Sequence, residues 1–458
     1  MSRLIKAIAL LAALGAILGA SAWAYGGYDV IVWSWCLIAL GVAGLFYIAA
    51  MPRRLHAPAI DRPVVIWTVL LFGYVLLQLS PLPLPLLNIL SPTRAELTRA
   101  FDTITPQWAA PISVMPALTF EYLLRMLAFI LMYLLVREAA WGLGERSWWA
   151  AAPLLALGVL EAWVGLSQVY AKPPASLALG TYINRDLYGG LFEMLVPFAV
   201  MLLPLSMSRG WGSFRTPGSI LRIVGSAALV ELLLMTMAHT LSRMAIVASI
   251  FGIAFAAGVY ATRRVSGRLR LAAVTVVFFF AIGIWATAPR ALVSRYVYLT
   301  VPGQLDAGRM PIWKENLQLI KVYPLTGCGL GCRRSAYLAY KTHQPLYSID
   351  YGHSDYMQAL IELGIPGFLI ALGAAGSIFR EVFRAARTRN NRAATYLALA
   401  SLGAMAAMAL HAFVDFNLHQ PSNMLTLAWV AGLGSATSVA PAHREHTDRP
   451  VIDLVRID

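Results

Sequence analysis

Residues 184–207 read NRDLYGGLFEMLVPFAVMLLPLSM, a polar triplet followed by an apolar run that begins at Leu187. A helix of about 20 apolar residues crosses a bilayer, so the run predicts a transmembrane span. Asn184, Arg185 and Asp186 then lie at the helix entrance. A helix N-terminus carries partial positive charge and favours anions, and an arginine there concentrates more cation. The stretch therefore predicts a membrane helix whose entrance binds a strongly anionic group.

Apolar runs of this kind recur along the whole chain. Of its 458 residues 59% are hydrophobic and only 13% are charged, whereas soluble proteins carry about 25% charged residues. Runs of spanning length occupy roughly 5–23, 30–50, 63–80, 118–138, 148–170, 187–207, 219–238, 241–262, 270–288, 355–379, 394–416 and 421–437. We therefore predict an all-α polytopic membrane protein with about 12 transmembrane helices.

The first run has a second interpretation. Arg3 and Lys6 precede it, and Ala20-Ser21-Ala22 resembles the cleavage site of a signal peptide. The run is long for the apolar region of a signal peptide, which favours a retained helix. The predicted topology of the remaining spans is the same in both cases.

Basic residues set the predicted orientation. With the N-terminus in the cytoplasm, the inner segments hold 22 of the 36 Lys and Arg residues, as the positive-inside rule requires. Both termini are then cytoplasmic. The net charge of +14 is mostly an orientation signal, so we predict no nucleic-acid partner.

Two predicted outer segments are longer than turns. Residues 81–117 are proline-rich and are expected to lie along the surface. Residues 289–354 form one large outer loop, in which Arg309 to Lys321 has the periodicity of an amphipathic helix with Trp313, Leu317 and Ile320 on its apolar face. Such a helix either rests on the bilayer interface or covers a site and presents Arg309 to it.

Two further polar clusters lie at predicted helix entrances on the outer face, Ser242-Arg243 and His353-Ser354-Asp355. A lone arginine at a helix end commonly extends to lipid headgroups. Arginine is rare on this face, however, and the helix dipole disfavours it at an N-terminus. A bound diphosphate would resolve that conflict, because guanidinium groups bind phosphate oxygens bidentately.

His353 is flanked by two carboxylates, Asp350 and Asp355. A neighbouring carboxylate fixes the tautomer of a histidine and raises its basicity, which suits a general base. A surface or capping histidine is the plainer alternative, and the three residues are weak evidence for a metal site. His411 and Asp415, four residues apart near the end of the eleventh predicted span, are ionisable and are therefore expected to face the bundle interior.

No phosphate-binding loop or dinucleotide-binding motif is found, and the three cysteines form no zinc pattern. We predict no cofactor and no metal. A reaction at the outer face has no access to cytosolic nucleotides, so its substrate must arrive already activated on a carrier in the membrane.

Several motifs carry a resemblance to a known family. They are Gly180–Gly190, Leu241–Arg243, Pro324–Gly331, Gly352–Gly367 and His411–Asn423. Together they resemble the O-antigen ligase / O-antigen polymerase family of bacterial envelope glycosyltransferases. The resemblance covers about 180–437, and it divides the chain into N-terminal helices (1–170), a ligase-like core (171–437) and a cytoplasmic tail (438–458).

The resemblance implies a GT-C-type enzyme of the bacterial inner membrane with its active site facing the periplasm. Such enzymes transfer a glycan from undecaprenyl diphosphate to an acceptor hydroxyl, which is lipid A–core in ligases, another lipid-linked repeat in polymerases, or protein Ser or Thr in related oligosaccharyltransferases. Two arginines and a histidine of the family match Arg185, Arg243 and His353. The chain departs from the family pattern at Leu187, where histidine is common, and at Ser354, where asparagine is common.

The predicted mechanism is inverting and independent of metal. Arg185 and Arg243, with Arg309, hold the donor diphosphate, while His353 takes the proton of the acceptor hydroxyl. Asp355 is expected to be catalytic together with His353, which Asp355 or Asp350 orients. The expected supporting residues are Asn184, Asp350, His411 and Asp415. A repeat-unit polymerase of the same family is the alternative. A lipid-linked glycan transporter is more distant, since no internal repeat is visible and the charges gather at one face.

Overall fold

The computed structural model describes residues 3–50, 59–101, 104, 106–171, 177–208, 217–263, 289–297, 308–342, 346, 348–389 and 391–438. The predicted span 270–288 and the tail after residue 438 lie outside these ranges. The helices are α1 (Arg3–Trp23), α2 (Val30–Ala50), α3 (Arg62–Leu79), α4 (Leu84–Leu90), α5 (Pro92–Ala100), α6 (Pro116–Gly142), α7 (Ala152–Ala171), α8 (Arg185–Ser208), α9 (Pro217–His239), α10 (Arg243–Ala261), α11 (Arg290–Val297), α12 (Met310–Val322), α13 (Arg333–Tyr337), α14 (Asp355–Thr388), α15 (Arg392–His411) and α16 (Pro421–Ser438).

Ten helices of the described ranges are long and apolar enough to cross a membrane. They are α1, α2, α3, α6, α7, α8, α9, α10, α14 and α15, with α7 extended by the preceding 3-10 turns. The prediction of an all-α polytopic membrane protein is therefore confirmed. The last predicted span forms α16, which is not among the ten and is buried along nearly its whole length.

Helix α16 forms the centre of the bundle and packs against α6, α8, α14 and α15. Its Trp429 is fully buried, and the indole Nε1 donates to the carbonyl of Ala150 at 2.9 Å. Helices α10 and α15 approach closely where Gly252 faces Gly403, because a Cβ on Gly252 would lie 2.3 Å from the Gly403 carbonyl oxygen. Small residues permit such close backbone contact between membrane helices.

Helix α1 is part of this core. Its Leu14 and Leu18 are buried, and the carbonyl of Ala22 accepts a hydrogen bond from Thr181 at 2.7 Å. The turn that follows α1 binds the far end of the chain, since Gln420 Nε2 donates to the carbonyl of Gly26 at 2.7 Å. These contacts join α1 and the turn after it to the helix bundle.

The described part of the proline-rich segment 81–117 forms a small folded unit. A two-stranded antiparallel ribbon pairs β1 (Pro81–Pro83) with β2 (Ala109–Pro111), and α4 and α5 lie between these strands in sequence. Leu87, Ala95 and Ile112 form its small apolar core. The amide of Val114 donates to Cys328 at 2.9 Å. The segment is therefore a cap that packs on the glycine-rich turn 324–331.

Helix α14, predicted as one continuous span, is broken at Gly364, whose φ is +65°. The glycine-rich turn bonds to the groups that the break releases: Cys328 N donates to Ile361 O at 2.9 Å, Gly329 N to Glu362 O at 3.1 Å, and Ile365 N to Pro324 O at 2.8 Å. Unsatisfied backbone groups are costly inside a membrane protein. The turn therefore supplies the hydrogen-bond partners that the break in α14 requires. Cys328, in this turn, and Cys332, just after it, are free and buried.

We predict that Gly364→Ala destabilises the protein while Gly376→Ala, in the same helix, does not. A Cβ at 364 would lie 2.5 Å from the Leu325 carbonyl oxygen, and a left-handed conformation costs a residue other than glycine about 1–2 kcal/mol. A Cβ at 376 meets nothing within 4 Å, and alanine is favoured over glycine in a helix by about 1 kcal/mol. Thermal unfolding in detergent should separate the two variants; equal midpoints would contradict the role of the break.

Candidate active site

The three predicted helix entrances meet at one end of the bundle, named here the site end. The first residues of α8, α10 and α14 are Arg185, Arg243 and Asp355. The amide of Asp355 donates to the carbonyls of Ala412 and Asp415, at 2.9 Å each. Asn423 Nδ2 donates to the carbonyl of Leu187 at 2.8 Å. The link between α15 and α16 is therefore bonded to the entrance of α14, and the first turn of α16 is bonded to the start of α8.

Four arginines from four elements share this end. Arg243 Nη1 donates to the carbonyl of Arg295 at 3.2 Å, which fixes α11 against the start of α10. Burial lowers the pKa of Arg295, and the positive charges of Arg185 and Arg243 lower it further, with a smaller effect from Arg309. All four side chains are partly buried. The site end is therefore a concentrated cationic surface, and Arg295 is a member that the sequence did not predict.

Asp186 and Asp415 are the acids that face these cations. Arg309 Nη2 lies 3.2 Å from Asp415 Oδ2 and 3.9 Å from Asp186 Oδ2. Burial raises the pKa of Asp415 to about 6, and the charge of Asp186 adds to the effect. Asn184 Oδ1 accepts from the amide of Asp186 at 2.7 Å, which orders the chain at the start of α8.

Asp415 also lies beside two histidines. Its Oδ2 is 3.8 Å from His411 Nε2, and its Oδ1 is 3.9 Å from His353 Nδ1. His411 is held from its other side, where Nδ1 lies 2.7 Å from Glu193 Oε2. Asp415 is only 1% exposed. It therefore lies between Arg309 and both histidines.

His353 is held in an unusual conformation. Its φ is +50°, a left-handed value that is rare for residues other than glycine and is often found at functional sites. Trp313 Nε1 donates to its carbonyl at 3.1 Å, and Asn316 Nδ2 donates to the carbonyl of Gly352 at 3.0 Å. The edge of the ring packs on Phe416, with ring centroids 5.1 Å apart. Both the backbone and the ring of His353 are thus positioned by neighbouring elements.

The imidazole of His353 is uncharged, but it lacks the raised basicity that the flanking carboxylates led us to expect. Burial, followed by the charges of Arg309 and Arg333, lowers its pKa to about 4, so the ring is neutral at physiological pH. Nδ1 is buried and has no hydrogen-bond partner among the described residues, although 30% of the side chain is exposed. Nε2 is therefore the ring nitrogen left to receive the proton of a substrate.

Helix α12 matches the predicted amphipathic helix, with Arg309 at its N-cap. The predicted apolar face is wrong in part: Leu317 is 51% exposed, whereas Ile312, Asn316 and Leu319 are buried. The buried face turns toward the loop that carries His353, because Asn316 bonds that loop. The helix thus lies against the loop of His353 and places Arg309 beside Asp415.

The carboxylate beside His353 differs from the expected ones. Asp355 Oδ1 lies 2.7 Å from His419 Nδ1, and its Oδ2 accepts from the amide of Leu418 at 3.1 Å. Asp350 bonds the hydroxyl of Tyr28 at 3.3 Å and Arg334 at 3.1 Å. Both carboxylates adjoin His353 in sequence but are committed elsewhere, because the helix start at Asp355 directs its side chain toward the 417–419 turn. Asp415, 62 positions after His353 in the chain, takes their place.

A second charged cluster, also missed in the sequence, centres on His419. Its Nδ1 faces Asp355, and its Nε2 lies 3.7 Å from Glu362 Oε2. Glu362 Oε2 also accepts from the amide of Gly331 at 2.9 Å. Burial opposes charge on His419, yet hydrogen bonding to the two carboxylates and their negative charges prevail and raise its pKa to about 9. His419 lies four residues after Asp415 within the motif His411–Asn423, and this spacing could have indicated that it belongs to the site.

The comparison with protein families agrees with this geometry. Residues 228–372 match the family model described as O-antigen ligase. The matched region contains Arg243, Arg295, Arg309 and His353, whereas Arg185 precedes it and the stretch 411–423 follows it. No curated protein matches the chain. The family match supports assignment of the chain to the O-antigen ligase family.

We predict that His419 stabilises the fold most below neutral pH. The ordinary pKa of histidine is 6.5, and that of His419 is raised to about 9. Its stabilising contribution is therefore complete below pH 6.5 and is lost as the pH rises through 9. His419→Gln keeps a polar side chain but no charge, so the unfolding temperature of the wild type should exceed that of the variant at pH 6 and approach it at pH 9.5. If the unfolding temperatures of the wild type and the variant differ by the same amount at every pH, His419 is not positively charged in the folded protein.

Proposed function

We propose that this chain, assigned by residues 228–372 to the O-antigen ligase family, transfers a glycan from undecaprenyl diphosphate to an acceptor hydroxyl on lipid A–core. The reaction takes place at the periplasmic face of the bacterial inner membrane and belongs to lipopolysaccharide biosynthesis. Both termini are cytoplasmic, about 12 helices span the membrane in a GT-C-like arrangement, and residues 171–437 form the catalytic core. The observation that carries the proposal is the convergence of four arginines beside a neutral histidine.

The arginines hold the diphosphate of the donor. Arg185, Arg243 and Arg295 have no acidic partner within salt-bridge distance among the residues that the structure describes. They are therefore able to bind phosphate oxygens. As the bond between the anomeric carbon and the diphosphate oxygen breaks, negative charge grows on the diphosphate. Fixed cations placed at developing charge lower the barrier of a reaction.

His353 acts as the general base. The acceptor oxygen attacks the anomeric carbon as its proton passes to His353 Nε2, and the diphosphate leaves with the electron pair of the broken bond. Asp415 accepts a hydrogen bond from Nδ1–H and stabilises the imidazolium, in the manner of the acid in a catalytic triad. Direct displacement inverts the anomeric centre and uses only side chains of the protein.

A repeat-unit polymerase is the second candidate. The stretch Asp415–Asn423, which supplies Asp415 and His419 to the site end, resembles exopolysaccharide polymerases as closely as ligases. The chemistry on the donor is identical in both cases. Only the acceptor differs, since a polymerase uses a second lipid-linked glycan.

Transfer by the purified protein tests the function. We expect the full-length protein in detergent, given a synthetic undecaprenyl diphosphate-linked glycan and lipid A–core, to yield one shifted lipid band on a gel. A ladder formed with the donor alone would identify a polymerase instead. If neither acceptor gives a product while the protein remains folded, the enzyme assignment is wrong.

We predict that Arg185→Ala, Arg243→Ala and Arg295→Ala each reduce the transfer rate on the order of a hundred-fold, the usual effect of removing one group that stabilises developing charge. Arg295→Ala keeps the backbone carbonyl that Arg243 bonds, so its effect isolates the guanidinium. Arg99→Ala is the matched control, because this exposed arginine bonds Asn88 in the cap, at 3.0 Å. Initial rates with saturating acceptor provide the measurement. Rates equal to the control would refute the diphosphate clamp.

A further inference from the structure

Asp415 is hydrogen-bonded to Arg309 and not to His353, the residue that it would assist in catalysis. Its Oδ2 accepts a hydrogen bond from Arg309 Nη2 at 3.2 Å, whereas its Oδ1 lies 3.9 Å from His353 Nδ1. The second distance is too long for a hydrogen bond. His353 Nδ1 has no other partner in the described part of the chain, and it is buried. A buried ring nitrogen without a hydrogen-bond partner is costly, which indicates a contact that forms in another state.

We propose that donor binding passes Asp415 from Arg309 to His353, so that the general base is completed only when the lipid diphosphate is in place. The inference rests on the proposed function and adds the order of events at the same site. Asp415 is then a positioning residue that acts through His353.

Arg309 is able to change partners. Its contacts with Asp415 and Asp186 both use Nη2, and its side chain is 21% exposed. A guanidinium has five N–H donors in a planar fork and binds phosphate in pairs of hydrogen bonds. A diphosphate brings more negative charge than one carboxylate, so it competes successfully for Arg309.

Asp415 needs only a small movement to reach His353. Shortening the distance from 3.9 Å to hydrogen-bond length requires about 1 Å. The amide of Phe416 donates to Oδ1 at 3.0 Å and keeps this oxygen at the histidine side. His411, bonded to Glu193, remains 3.8 Å from Oδ2. Asp415 therefore keeps a neighbouring partner after Arg309 has left.

The charges around His353 change in the same direction. Arg309 and Arg333 lower its pKa, and Asp186 opposes them. A phosphate bound to Arg309 offsets one of these two cations, while a hydrogen bond from Nδ1 to Asp415 favours the imidazolium. Both effects make Nε2 a stronger base at the moment when the acceptor proton must be removed.

Hydrogen exchange at the C2 position of histidine, followed by mass spectrometry across a pH series, measures the pKa of His353 in the full-length protein. We expect saturating undecaprenyl diphosphate, which carries no glycan to transfer, to raise this pKa toward its ordinary value. Arg309→Ala should raise it without ligand and remove most of the response. Asp415→Asn should reduce the response, and Arg99→Ala should behave as the wild type.

An unchanged pKa of His353 in the wild type, with binding of undecaprenyl diphosphate confirmed by scintillation counting, would overturn the inference. The same holds if undecaprenyl diphosphate does not bind. The result is independent of transfer: product formation with an unchanged pKa refutes only the exchange of partners. A raised pKa without product supports the exchange and refutes the proposed reaction.

Discussion

A helix broken within a membrane bundle must find new partners for the backbone groups that it releases, and in this protein the glycine-rich turn 324–331 supplies them to α14. The turn binds carbonyls on one side of Gly364 and an amide on the other. Its last glycine also bonds the Glu362 carboxylate, which faces His419. The segment of α14 from Asp355 to the break is therefore fixed at both ends, and the loop that carries His353 enters it at a defined angle.

Arg333 extends this constraint to the site. It follows the glycine-rich turn, is fully buried, and donates to Asn316 Oδ1 at 2.8 Å and to the carbonyl of Ile349 at 2.8 Å. Asn316 in turn bonds Gly352. One guanidinium thus joins α12 to the loop before α14, and the strained backbone of His353 is held between two fixed elements. Strain of this kind persists only where the surroundings determine it.

Local sequence features predicted most of the helices and three of the four arginines. Hydropathy is a property of each run by itself, and Arg185, Arg243 and Arg309 lie where a helix begins. Hydropathy and local motifs do not predict which distant segments of the chain come into contact. Asp350 and Asp355 adjoin His353 in sequence, yet Asp415 is its neighbour in space, and Arg295 lies on a short helix with no distinctive pattern. The break at Gly364 had a visible signal in Gly-Ile-Pro, which the length of the apolar run concealed.

Gln420 Nε2 donates a hydrogen bond to the carbonyl of Tyr25, in the turn after α1, and these two residues are 395 positions apart in the chain. Because a ribosome synthesises the chain from its N-terminus, α1, its turn and α2 are made long before Gln420, their hydrogen-bond partner. Asp415 and His419 are synthesised immediately before Gln420. A chain that stops short of them carries Arg309 without Asp415, the nearer of its two acidic partners. Premature termination therefore removes both the contact that closes the bundle around α1 and the acid beside His353.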